Sequence, residues 1–180
     1  MKILEDFSYH VYNQSNNGVK LFLDDEDYIY FLNRAKVWIA EKADILAYCI
    51  MPNHFHFLIH ANAKSSEIVK VGSLNLNGVS NGFRLLQSQY AQYFNRKYGK
   101  SGSVFRPKIN WKPLNSSSGE YVTNCFNYIH NNPLEASLSA NLEGWKYSSY
   151  LEYCGLKKQL LVDKQLAKQY VKADWEDFDL

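Results

Sequence analysis

The chain has 180 residues, of which 46% are hydrophobic and 21% charged, a composition typical of one folded domain and not of a disordered or fibrous protein. We therefore expect a single domain over 1–180 with an acidic C-terminal tail from about 174. No apolar stretch approaches the roughly 20 residues of a membrane-spanning helix, and the three cysteines form no Cys-x-x-Cys pair. These features predict a cytoplasmic protein without a membrane partner, a disulfide framework or a zinc cluster.

The net charge of +2 hides an uneven distribution of basic residues. Between Ile68 and Gly119 the chain has eight basic residues and no Asp or Glu, which leaves 12 basic and 18 acidic residues elsewhere. Such a stretch is typical of a surface that binds a polyanion, although charge alone is explained equally well by a solvated basic face. Aromatic residues between these charges favour a nucleic acid, because exposed rings can stack on unpaired bases.

The N-terminal part of the chain alternates between strand-like and helix-like patterns of apolar residues. Polar residues, and a Pro-Asn pair at 52–53, separate these segments and predict turns, the second of which joins two strands into an antiparallel hairpin. The predicted elements are a strand at Phe7–Gln14, a polar turn at 15–18, a helix capped by Asp24 and Asp25 and ending near Lys42, and strands at Ile45–Met51 and His54–His60.

The C-terminal part begins with an ambiguous segment, Lys64–Ser80, in which glycines and asparagines weaken any helix. A helix follows over Gly82–Tyr98, ended by Gly99, and then a basic strand or loop over Ser103–Leu114. Ser117 and Glu120 have the spacing of a capping box, so a second helix should begin near Ser118. We expect it to end by Asn132, because Pro133 disfavours the helical conformation of the residue before it.

Two histidines occupy alternate positions on the second strand of the hairpin. Side chains alternate across a sheet, so His54 and His56 point to one face, and Phe55 and Phe57 to the other, apolar face. Imidazoles at this spacing are about 6–7 Å apart and can bind one metal ion, although such pairs are more often ordinary surface residues. His60 shares the histidine face but lies roughly 13 Å from His56, which makes it a poor third ligand.

The second helix offers a phenol and an amide at the edge of its buried side. An apolar stripe that begins at Val122 orients the helix, and at about 100° per residue Tyr128 and Asn132 lie together beside that stripe. They can face the histidine strand, whereas His130 points away. An asparagine oxygen suits Mg²⁺ or Mn²⁺. Without the histidines, an ordinary helix C-terminus would explain both residues better.

These motifs occur together in a known family. MPNHFHFLIH resembles the His-hydrophobic-His (HUH) motif, and FNYIHNNP resembles the tyrosine motif of single-tyrosine HUH transposases, especially the REP-associated tyrosine transposases. The segments YHVYNQSNN, SGSVFRPK and WKYSSYLEY are similar to that family in the same order. The resemblance covers most of Tyr9–Tyr153.

The resemblance implies an α+β fold, in which helices pack on an antiparallel sheet of the ferredoxin-like or RRM-like type. It implies metal-dependent cleavage and transfer of single-stranded or hairpin DNA through a 5′-phosphotyrosine intermediate, with Tyr128 as the nucleophile. The implied ligands of Mg²⁺ or Mn²⁺ are His54, His56 and Asn132, although related insertion-sequence enzymes often have Gln at the last position. Family members are swapped dimers or monomers, so the resemblance leaves it open whether this protein forms a homodimer. We expect the DNA phosphates to be held by Arg84, Arg96, Lys97, Arg106, Lys108 and Lys112.

Two other functions are compatible with parts of this pattern. A non-catalytic module that binds single-stranded nucleic acid would use the same sheet and basic stretch. A histidine-triad nucleotide hydrolase needs a third alternating histidine, but Leu58 occupies that position. A covalent DNA adduct that disappears in Tyr128→Phe distinguishes the transposase from the binding module.

Overall fold

The computed structural model describes residues 2–114, 119–158 and 160–175. In these ranges no helix combines the length and the hydrophobicity needed to cross a bilayer. The strands are β1 Ser8–Gln14, β2 Asp44–Met51, β3 His54–His60, β4 Ile68–Val71, β5 Leu74–Asn77 and β6 Asn110–Pro113. The helices are α1 Asp25–Trp38, α2 Ala63–Ser66, α3 Gly78–Tyr98, α4 Glu120–Glu135, α5 Tyr150–Tyr153 and α6 Lys164–Tyr170.

Four strands form one antiparallel sheet in the order β2-β3-β1-β6, and β4 pairs with β5 in a separate hairpin. Helix α1 connects β1 to β2, and α3 lies between β3 and β6 in the chain. This βαββαβ succession with its strand order is the ferredoxin-like arrangement. The predicted α+β class, with helices packed on an antiparallel sheet, is confirmed.

Alternating side chains give the sheet two different faces. On one face the ring of Phe55 lies 5.2 Å from Phe31 of α1 and 6.3 Å from Phe83 of α3, and all three are fully buried. On the other face His56 lies against Tyr128 of α4, which packs on β2 and β3. The sheet thus separates an aromatic core from a histidine-bearing face.

The caps of the helices follow local sequence signals. The Asp24 carboxylate accepts a hydrogen bond from the Asp27 N–H in a capping box at the start of α1. The predicted cap at Asp24 is confirmed, whereas Asp25 is the first residue of the helix. Gly99 ends α3 in the left-handed conformation, with φ of +59°. The predicted cap Ser117 lies outside the described residues, and Gly119 immediately precedes α4.

The predicted bounds of two helices need correction. Helix α1 ends at Trp38 and not near Lys42, because the chain continues from there in turns. Helix α3 begins at Gly78, four residues before the predicted start at Gly82. The ambiguous segment Lys64–Ser80 contains most of α2, the β4-β5 hairpin and the first turn of α3.

Helix α4 continues through Pro133 to Glu135, so the prediction that it ends by Asn132 is wrong. Proline removes one backbone donor and disfavours helical geometry before it, but neighbouring hydrogen bonds can compensate. The Asn132 side chain donates to the Tyr128 carbonyl oxygen at 2.9 Å, and the Ala136 N–H donates to the Asn132 carbonyl oxygen at 3.0 Å. These bonds on either side of the proline hold the final turn.

Candidate active site

His54 and His56 project from the sheet face that α4 covers. Their ring centroids lie 4.9 Å apart, and His56 is paired with Tyr12 of β1 and Cys49 of β2 at the centre of the sheet. Burial, and then the neighbouring His10 and His54, hold the pKa of His56 well below its usual value, and burial also lowers the pKa of His54. Both rings are therefore neutral at neutral pH, the form in which histidine binds metals.

Each imidazole has its Nδ1 engaged within the protein. Nδ1 of His54 donates to Oδ1 of Asn53 at 2.6 Å. Nδ1 of His56 lies 2.9 Å from Nε2 of His10, whereas Nε2 of His56 is buried and has no hydrogen-bond partner among the described residues. An unpartnered, buried imidazole nitrogen fits a metal ligand.

Asn132 lies next to this histidine pair. Its amide nitrogen donates to the Tyr128 carbonyl oxygen at 2.9 Å, and its side chain also interacts with His54. The Asn132 side chain is thus held beside His54. Across the described part of the chain, no group of three His, Cys, Asp or Glu side chains is arranged to hold a metal ion, so a site here depends on the asparagine oxygen.

Tyr128 lies over the same histidines. Its ring is edge-on to His56 at 5.6 Å and to His10 at 5.9 Å between centroids. The residue is 43% exposed and is therefore accessible from solvent. The phenol and the imidazoles belong to one chain, so the constellation requires no residue from a second copy.

The opposite side of α4 fixes its rotation. His130, which points away from Tyr128 as predicted, is buried with Nε2 2.7 Å from Oγ of Ser149, and burial lowers its pKa to about 3. The Ser149 hydroxyl accepts a hydrogen bond from the Tyr48 N–H of β2 at 2.9 Å. The Ser149 N–H donates to the Tyr48 carbonyl oxygen, also at 2.9 Å. This chain of bonds ties α4 to the edge strand and keeps Tyr128 directed at the histidines.

A cavity of about 710 Å³ opens beside Tyr128. Its walls come from β1, β3, β6 and α4 and include Tyr12, Lys112 and Tyr121 together with His10 and His56. Its volume lies in the range of ligand-binding clefts. The lining of the cavity thus includes aromatic rings, the cationic side chain of Lys112 and the phenol of Tyr128.

The six basic residues predicted to contact DNA lie in different parts of the structure. Lys112 is paired with His10 across β1 and β6 and lines the cavity, and Arg106 and Lys108 are exposed in the segment before β6. Arg84 and Arg96 are exposed on α3, on the other side of the sheet.

Lys97 is engaged in a different interaction. Its ammonium group is 2.9 Å from carboxylate oxygens of Asp24 and Glu26 and 3.0 Å from that of the buried Asp27. These three acidic side chains already compensate its charge, so we leave Lys97 out of the proposed DNA contacts.

Sequence reasoning missed His10 and Tyr12 of β1. Residues of β1 alternate as those of β3 do, and the register pairs Tyr12 with His56. The alternation is visible in the sequence YHVYNQ, but its meaning depends on β1 lying beside β3 in the sheet.

Comparison with known proteins adds a structural likeness. No family model matches the chain, and no curated protein matches it. A solved REP-associated tyrosine transposase bound to a REP hairpin is similar at a TM-score of 0.64 and 14% identity, over 84% of this chain and 81% of that one. A bacterial tRNA(His) guanylyltransferase-like protein, solved with GTP and with ATP, is similar at TM-scores of 0.46 and 0.45 and identities of 12% and 11%, over 78% and 82% of this chain and 71% and 69% of those. The chain thus has the fold of the REP-associated tyrosine transposase.

Proposed function

We propose that the protein cleaves and rejoins single-stranded DNA, with Tyr128 as the catalytic nucleophile. The observation that carries this proposal is the placement of the Tyr128 ring 5.6 Å from His56, beside one accessible cavity. The fold shared with a transposase bound to a REP hairpin supports hairpin DNA as the substrate class.

We further propose that His54, His56 and Asn132 bind Mg²⁺ or Mn²⁺. The neutral rings and the unpartnered Nε2 of His56 suit a divalent cation, and the neighbouring Asn132 can supply an amide oxygen. Such an ion would polarise the scissile phosphate and offset the charge that develops on its oxygens.

The proposed reaction is a transesterification. The Tyr128 oxygen forms a bond to phosphorus as the bond from phosphorus to the 3′ oxygen breaks. The phenol loses its proton, and the departing oxygen gains one and becomes a free 3′-OH. The 5′ phosphate stays on the tyrosine. Because no water is consumed, the phosphodiester energy is retained, and a 3′-OH can reverse the step and rejoin the strand.

The strand would enter along β6. Lys112, which lines the cavity, would neutralise a phosphate next to the scissile one, and Arg106 and Lys108 would continue the positive charge along the same edge. Tyr12 and Tyr121 offer rings on which unpaired bases can stack. Arg84 and Arg96 would contact only DNA that passes around to the other side of the sheet.

A labelled single-stranded hairpin oligonucleotide tests the proposal. We expect the wild type with Mn²⁺ to form a covalent complex that survives denaturing electrophoresis, and Tyr128→Phe to form none. Tyr121→Phe removes another phenol that lines the cavity from the same helix and should still form the complex. Binding of the hairpin with no covalent complex in the wild type would contradict cleavage and favour a non-catalytic binding module.

A further inference from the structure

We propose that His10 is a positioning residue that fixes the tautomer of His56, so that Nε2 of His56 presents its lone pair to the metal. The proposal deepens the proposed function and rests on it for the nature of the ligand. It follows from the contact between His10 and His56 and from the buried, unpartnered nitrogen on the far side of the His56 ring.

The contact between the two imidazoles accommodates a single hydrogen atom. Nε2 of His10 and Nδ1 of His56 are 2.9 Å apart, and the rings are tilted by only 26° with centroids at 5.1 Å. One nitrogen must donate and the other must accept, because two N–H groups cannot point at each other at this distance. There are therefore two arrangements of the proton.

The environment of His56 distinguishes these arrangements. If His10 donated, a neutral His56 would carry its hydrogen on Nε2, a buried N–H that has no acceptor among the described residues. A buried donor without a partner costs about 1–3 kcal/mol and is rare in proteins, whereas an unpaired acceptor is better tolerated. The favoured arrangement is therefore donation from Nδ1 of His56 to Nε2 of His10.

The surroundings of His10 restrain its ring. It lies on β1 between β3 and β6, is 7% exposed, and has the ring of Tyr12 at 4.7 Å and that of Tyr128 at 5.9 Å. A fixed acceptor of this kind orients a ligating imidazole and selects its tautomer, and loss of such a partner typically lowers metal affinity by about 10–100-fold. His10 thereby acts through His56.

Two variants of His10 distinguish the effect of its hydrogen-bond acceptor from the effect of its aromatic ring. His10→Phe keeps an aromatic ring but has no acceptor, whereas His10→Gln provides an amide oxygen that can accept from Nδ1. Ser8→Ala is the matched control, because Ser8 lies on the same face of β1 and bonds to His60 at 3.2 Å and not to His56. Circular dichroism checks that each variant is folded.

The first measurement is the tautomer of His56 in the metal-free protein, by long-range ¹H–¹⁵N correlation NMR. We expect Nδ1–H in the wild type, His10→Gln and Ser8→Ala, and a shift towards Nε2–H in His10→Phe. The second is Mn²⁺ affinity by calorimetry. We expect a loss of about 10–100-fold in His10→Phe, recovery to within a few fold in His10→Gln, and no change in Ser8→Ala.

An Nε2–H tautomer in the wild type would overturn the inference, and this measurement does not depend on any variant folding. An unchanged tautomer and Mn²⁺ affinity in His10→Phe would also overturn it. The inference and the proposed function fail separately: a wild type with the expected tautomer and affinity that forms no DNA adduct refutes cleavage alone. An adduct in the wild type with no effect of His10→Phe on tautomer or affinity refutes the role of His10 alone.

Discussion

The histidine on the far side of α4 makes the fold sensitive to acid. His130 is buried against Ser149, and its pKa is lowered from 6.5 to about 3. The unfolded chain therefore binds a proton at this site below pH 6.5, whereas the folded chain does not until about pH 3. Stability from this group is complete above pH 6.5 and is lost as the pH falls, by about 2 kcal/mol between pH 6.5 and 4.5.

Replacement by a neutral side chain removes this proton uptake. His130→Gln keeps an amide that can bond to Ser149, so it should fold, with a free energy of unfolding that depends less steeply on pH. Urea unfolding followed by tryptophan fluorescence at several pH values between 7 and 4.5 measures both proteins. His10 and His56, whose pKa values are also lowered by burial, contribute equally to both and cancel in the comparison. Parallel curves for the two proteins would refute the assignment of a buried, neutral His130.

Three further predictions concern the packing, the metal and the DNA. Gly82→Ala should lower the free energy of unfolding, measured in urea, by about 1–3 kcal/mol, because the added Cβ would lie 2.3 Å from the Trp38 carbonyl oxygen. Alanine has the better helix propensity, so equal or greater stability of the variant would contradict this prediction. Mn²⁺ should raise the melting temperature of the wild type but not of His56→Ala, and an equal shift in both would place the ion elsewhere. Lys112→Ala should weaken hairpin binding and reduce the salt dependence of log K by about one unit in fluorescence anisotropy, whereas Lys97→Ala should leave both unchanged; the reverse order would show that the ion-paired lysine is the one that contacts DNA.

The parts of the fold that follow from local signals could be predicted from the sequence. The hairpin around 52–53 and the alternation of His54 and His56 depend only on neighbouring residues, and so do the caps at Asp24 and Gly99. The end of α4 could not be predicted from Pro133 alone, because a side-chain bond from the preceding Asn132 helps to hold the last turn.

The candidate site could likewise be predicted only as far as local sequence signals determine it. Tyr128 and the histidines of β3 are predictable from periodicity and from family motifs, whereas the role proposed for His10 depends on the pairing of β1 with β3, 46 residues apart along the chain. The surroundings of a charged side chain also depend on residues that are distant in the sequence. Lys97 belongs to the basic stretch in sequence, yet in the structure its ammonium lies among carboxylates of α1 and its N-cap, about 70 residues earlier.

In the proposed reaction, Tyr128 itself becomes bonded to the 5′ end of the cleaved strand. Mass spectrometry of the digested reaction, with the released oligonucleotide analysed in parallel, measures this directly. We expect a nucleotide attached through its 5′ phosphate to the peptide containing Tyr128, and one released strand with a free 3′-OH for each adduct. An adduct on another residue, or a strand cut to a 5′ phosphate with no protein attached, would contradict it.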